Sequence, residues 1–179
     1  MFLQERLDHT FKRLKAQTAN ALTLINLSLG GFAVIFILND TLHMSLIFIF
    51  LAALSDRYDG MTARRLNIVS DLGKQLDSMA DLVSFGIAPA FLLYQAVLND
   101  FGAPGAFFTV LYIAMGALRL AKFNLQENTG YFSGLPIPAA GILITISYLL
   151  INVLPGFVFM FLILVLALLM VSPFKLKKI

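Results

Sequence analysis

The feature that most limits what this chain can fold into is a charged segment, SDRYDGMTARRLNIVSDLGKQLDSMAD. It is set between apolar runs that cannot cross a bilayer without it. The run before it, Leu42–Leu54, has 13 residues, whereas a spanning helix needs about 20. The second half mirrors the first, polar from Asp71 to Asp81 and then apolar to Leu98. Both spans must therefore carry aspartates into the membrane. At 1.5 Å per residue, Asp56 lies about 21 Å along its helix, inside a hydrocarbon core about 30 Å thick. Asp56, Asp59, Asp77 and Asp81 thus fall in one third of the membrane, near one surface.

Composition makes the membrane setting firm. Of 179 residues, 59% are hydrophobic and 13% charged, against about 25% charged in a soluble domain. The reading is an all-α integral membrane protein, with residues 1–179 forming one domain. No cysteine is present, so disulfides and thiolate metal sites are excluded. Residues 2–16 are amphipathic at helical spacing: Leu3, Leu7, Phe11 and Leu14 share one face, and Arg6, Lys12, Arg13 and Lys15 surround it. This pattern predicts an N-terminal interfacial helix on the membrane surface rather than a signal peptide. Six transmembrane helices are expected after it, near 19–38, 42–66, 70–98, 105–126, 136–154 and 156–174. Together they form a six-helix bundle over 19–174.

Charge gives the orientation. All 13 Lys and Arg residues lie on one side of this arrangement, and the opposite connections near 39–41, 99–104 and 155 contain none. By the positive-inside rule, both termini and the aspartates face the cytoplasm of a multi-pass cell-membrane protein.

Intramembrane carboxylates cost about 2.5–3.5 kcal/mol each on insertion scales unless compensated. Arg57, Arg64, Arg65 and Lys74 are the nearest fixed charges and cannot neutralise four carboxylates in one small pocket. Asp56 and Asp59 are three residues apart, Asp77 and Asp81 four, so each pair shares a helix face. Gly60 and Gly73 lie on these faces, where a missing side chain admits a ligand to the backbone. Arg64 follows on a similar face. Hard oxygen ligands of this kind suit Mg²⁺ or Mn²⁺, and two such cations can clamp a pyrophosphate. The alternatives are a set of salt-bridged structural carboxylates and the proton or cation pathway of an ion or solute transporter. Glycines and an arginine at fixed offsets argue against the transporter pathway.

The same residues read D-x-x-D-G-x-x-A-R, eight residues, then G-x-x-x-D-x-x-x-D. This resembles the signature of the CDP-alcohol phosphotransferase family, with Asp56, Asp59, Gly60, Ala63, Arg64, Gly73, Asp77 and Asp81 at its positions. ANALTLINLSLG at 19–30, RLAKFN at 119–124 and GLPIPAAG at 134–141 resemble its phosphatidylserine synthase branch, in the small membrane-embedded form of Gram-positive bacteria and archaea. The more usual arginine of RLARFN is Lys122 here, which keeps the charge and loses the planar fork.

The resemblance implies CDP-diacylglycerol and L-serine as substrates, phosphatidylserine and CMP as products, and a homodimer in the lipid bilayer. No nucleic-acid partner is expected. It implies two divalent cations, one on Asp56, Asp59 and Asp77 and one on Asp56, Asp77 and Asp81, with Asp81 as general base. Asn20, Thr23, Gly60, Ala63, Arg64 and Gly73 are expected to line the CDP-lipid site. Serine is expected to meet Arg119, with Lys122 three residues on. Another branch of the family, such as a phosphatidylglycerol-phosphate synthase, would use the same metals and lipid with a different alcohol.

Overall fold

A computed structural model of the protein describes residues 2–66, 71–125, 131–172 and 175–177, with side chains described at 20–58, 61, 71–125 and 134–172. The described residues are almost entirely helical. Helix α1 runs Phe2–Leu38 and α2 Leu42–Leu66; α3 (Asp71–Asp81) continues through a π-helical turn, Leu82–Ile87, into α4 (Ala88–Ala96). After a 3₁₀ turn come α5 (Ala103–Leu125), α6 (Ile137–Ser147) and α7 (Gly156–Val171). Stretches long and apolar enough to cross a membrane are Asn20–Leu38, Asp71–Ala96 and Ala103–Leu125; Ile137–Leu150 and Gly156–Val171 are apolar and shorter.

Two expectations change. The interfacial helix expected at 2–16 and the span at 19–38 are one continuous helix of 37 residues. The connecting residues Ala16–Ala21 contain no glycine or proline to end a turn, so helical hydrogen bonding runs through. The fold also gains a two-stranded antiparallel pair, β1 (Tyr131–Ser133) with β2 (Lys175–Lys177), placing Phe132 opposite Leu176. Next to β1, the Leu135 amide donates to the Leu169 carbonyl at 3.0 Å. The Gly134–Pro138 loop is therefore tied to the end of α7. Pro136 sits at the N-cap of α6, where its missing N–H costs nothing.

Lipid tails are as apolar as the side chains, so close packing of small residues holds such helices together. Two glycines do this at the π-helical turn. A Cβ on Gly30 would collide with the Ser84 hydroxyl, and one on Gly141 would meet the Phe85 carbonyl. Pro89 explains the turn. It cannot donate the α-helical bond to the Phe85 carbonyl four residues earlier, and its ring crowds that oxygen. The chain widens there, with the Ala88 amide bonded to the Val83 carbonyl five residues back. The Tyr112 hydroxyl donates to the Phe85 carbonyl at 3.0 Å. The core around this point contains Phe85, Tyr112, Ile137, Ile144 and Ile163, all fully buried. A second cluster, with Ala33, Ile49, Ala88 and Leu92, fills the space between α1, α2 and α4.

Candidate active site

Helix α1 is the spine on which the aspartate-bearing helices are aligned. The Ser55 hydroxyl of α2 donates to the Leu22 carbonyl at 3.2 Å, fixing Asp56 beside the Leu22–Thr23 turn. On the other flank, the Ser84 hydroxyl donates to the Asn26 carbonyl at 3.1 Å. Helices α1 and α3 run parallel, each from a charged end toward an apolar one. Gly30 packs against the Ser84 Cα, so stepping back three or four residues on each brings Asn26 close to the level of Asp81, and a further turn brings Thr23 close to that of Asp77.

The result is convergence. Asp56, Asp77 and Asp81 each offer a carboxylate oxygen, and these oxygens lie within 4.8 Å of one another. Asp81 is the deepest, 9% exposed, while Asp56 is half-buried. Asp56 and Asp77 are close enough to repel electrostatically. Two oxygens on one Mg²⁺ stand at most about 4.2 Å apart, twice the usual bond length. Small side-chain rotations bring this cluster to that geometry, so the donor set fits a hard divalent cation in both chemistry and size. The fourth aspartate, Asp59, stands on α2 one turn after Asp56, as do Gly60, Ala63 and Arg64 beyond it. The side chains of these four lie outside the described residues.

Among the residues expected to line the CDP-lipid site, Thr23 is 6% exposed, and Asn20 and Gly73 are half-buried. Arg119 is 8% exposed near the end of α5, where Asp81 is the charge acting on it. Its Nε has no hydrogen-bond partner among the described residues. Lys122, expected on the same face, is exposed. The three-residue offset turns it away from the packed side, on which Thr109, Tyr112, Gly116 and Arg119 recur at helical spacing.

Three contributors escaped the sequence reading. Asn124 donates from Nδ2 to the Ser78 hydroxyl at 2.9 Å, tying α5 to α3 between Asp77 and Asp81. Tyr112 braces the turn just beyond Asp81. Asn26 is fully buried one turn below Thr23. The signal for Asn26 was present: Asn20, Thr23 and Asn26 recur every three residues along one face of an otherwise apolar helix.

Comparison with known proteins accords with this geometry. The chain is 41% identical over 126 residues to the CDP-diacylglycerol–serine O-phosphatidyltransferase of Bacillus subtilis, covering 70% of this chain and 71% of that protein. It is 35% identical over 136 residues to the protein of the same name from Helicobacter pylori, covering 74% and 57%. It is 37% identical over 131 residues to the archaetidylserine synthase of Methanothermobacter thermautotrophicus, covering 72% and 56%. The chain thus spans less than two thirds of the latter two. Residues 16–171 match the CDP-alcohol phosphatidyltransferase family. With the signature aspartates gathered at one point between α2 and α3, this membrane protein belongs to the CDP-alcohol phosphatidyltransferase family.

Proposed function

We propose that the protein transfers the phosphatidyl group of CDP-diacylglycerol to L-serine and releases CMP. The observation that carries this reading is the convergence of Asp56, Asp77 and Asp81 on one point. Serine as acceptor is supported by the names of the bacterial relatives, serine O-phosphatidyltransferases both.

Asp56, Asp59 and Asp77 would hold one divalent cation and Asp56, Asp77 and Asp81 a second, Mg²⁺ or Mn²⁺. Bound there, the cations would neutralise the pyrophosphate and stabilise charge building on phosphorus. Asn20, Thr23, Gly60, Ala63, Arg64 and Gly73 orient the CDP moiety, with Arg64 near phosphate. Arg119 offers a guanidinium to the serine carboxylate or a substrate phosphate, while Lys122, exposed, suits attraction of anions at the cytoplasmic surface. Asp81 takes the proton from the serine hydroxyl. The hydroxyl oxygen then bonds to the β-phosphorus as the bond from that phosphorus to the bridging oxygen breaks. CMP departs with both electrons of that bond. Positioning compensates for the weak basicity of a carboxylate. Arg119, beside Asp81, holds its charge where proton transfer occurs.

The membrane arrangement we propose has six spans, both termini and the aspartates on the cytoplasmic side, and a homodimer as the working unit. The basic residues support the orientation, and the family resemblance supports the dimer. The test is purified protein with CDP-diacylglycerol and Mn²⁺ or Mg²⁺, offered serine, glycerol 3-phosphate or inositol phosphate separately. CMP release with serine alone is expected. Release only with another alcohol refutes serine as acceptor. A single displacement also predicts that labelled CMP does not exchange into CDP-diacylglycerol without serine, and robust exchange would refute it.

A further inference from the structure

We propose that the side-chain amide of Asn26 is a specificity-determining residue that binds the polar groups of the amino-acid acceptor, close to the level of Asp81. The proposal rests on the serine-transfer reading above.

Asn26 is 0% exposed. Its backbone carbonyl accepts from Ser84, yet neither Nδ2 nor Oδ1 of its side chain has a hydrogen-bond partner among the described residues. A buried primary amide without protein partners is rare and destabilising. Inside a membrane bundle, retained polar side chains mark ligand sites. Neighbouring hydroxyls do not supply the need. Ser84 is committed to the Asn26 main chain, and Ser28 and Ser55 donate to the carbonyls of Leu24 and Leu22.

Position and chemistry then name the ligand. Asn26 lies three residues beyond Thr23 on the face of α1 that follows Asp77, Asp81 and Ser84. It is therefore close to the level of Asp81 and about 5 Å deeper than Thr23. In-line displacement puts the attacking hydroxyl on the side of phosphorus opposite the departing CMP. With the nucleotide at Asn20 and Thr23, the acceptor belongs on the Asn26 side. Both amide atoms lack partners, so the fitting ligand offers a donor and an acceptor together. An ammonium donates to Oδ1 and a carboxylate accepts from Nδ2. A lipid ester carbonyl would satisfy Nδ2 alone. Arg119, whose Nε also lacks a partner, approaches Asp81 from the α5 flank and supplies a further carboxylate donor. A site built this way discriminates strongly against alcohols that leave its buried amide unpaired.

The test is Asn26→Leu, which keeps the branching at Cγ, is bulkier and has no polar atoms, with the smaller Asn26→Ala as second variant. Michaelis constants for serine and for CDP-diacylglycerol are measured on purified protein, together with the melting temperature. Asn26→Leu is expected to raise the serine constant at least about 10-fold. It should leave that for CDP-diacylglycerol within about 2-fold, with the melting temperature unchanged or higher, because an unpartnered amide is removed. If Asn26→Leu does not fold, the constants of Asn26→Ala decide. A serine constant within 2-fold of wild type would overturn the proposal, as would an effect on the lipid constant alone. Failure of both variants to fold would also overturn it, since the amide would then be structural. Wild-type protein that releases no CMP with serine refutes the transfer reading itself. Active wild type beside an unaffected variant refutes only the role of Asn26.

Discussion

Replacing Asp77 by asparagine should stabilise the metal-free protein while removing its response to metal. The oxygens of Asp56, Asp77 and Asp81 lie within 4.8 Å of one another. At that separation and an effective dielectric of 20, each like-charged pair repels by about 3.5 kcal/mol. Asp77→Asn removes two of the three pairs, about 7 kcal/mol before screening. Solvent at the half-exposed Asp56 and the Arg119 charge acting with Asp81 offset most of this, leaving a gain of about 2 kcal/mol. For a chain of 179 residues this is about 4–8 °C in melting temperature. The assay is thermal unfolding in detergent, with chelator and then across a Mn²⁺ titration. Wild type should gain stability with Mn²⁺ as the ion binds the folded state alone. Asp77→Asn should start higher and gain little. A variant that melts below wild type in chelator, or that keeps the full Mn²⁺ response, would refute the idea that these carboxylates repel one another until a cation joins them.

Asp81→Asn is expected to lower turnover at least about 100-fold, as loss of a general base does, while equilibrium dialysis still detects CDP binding. Arg119→Ala should raise the serine Michaelis constant or lower turnover; unchanged values for both would refute a role in the reaction. Tyr112→Phe leaves the Phe85 carbonyl without its phenolic donor. It should cost about 0.6–1.7 kcal/mol in detergent unfolding, the range for hydrogen bonds between membrane helices.

The parts of this fold that were legible in sequence are those governed by length and charge. The bounds of α2 follow from the need to extend Leu42–Leu54 through the aspartates. Arg119 was legible as a costly charge near the end of an apolar helix, while its burial beside Asp81 came from the structure. What was not legible depends on how helices meet. Pro89 announces a local disturbance, but its form depends on Tyr112 and Gly141, which approach Phe85 from distant parts of the chain. The continuity of α1 was hidden by a change in hydropathy, which reports environment and not helix ends. Asn26 was visible as a polar residue in step with Asn20 and Thr23, but its significance lies in the absence of neighbours able to bond it among the described residues. The β1–β2 pair joins segments more than 40 residues apart, and neither strand is long enough to leave an alternating pattern.

The close approach of Gly30 to Ser84 makes two distant positions one unit of inheritance. A methyl group at position 30 would claim the volume of the Ser84 hydroxyl and would also stand 2.9 Å from the Ser84 Cα, so no smaller residue at 84 makes room for it without moving a helix. A smaller residue at 84 would in addition remove the hydroxyl that grips the Asn26 carbonyl and holds α1 in register with the helix bearing Asp81. Divergent descendants of this chain that stay active should therefore keep glycine at 30 and a hydroxyl at 84 together.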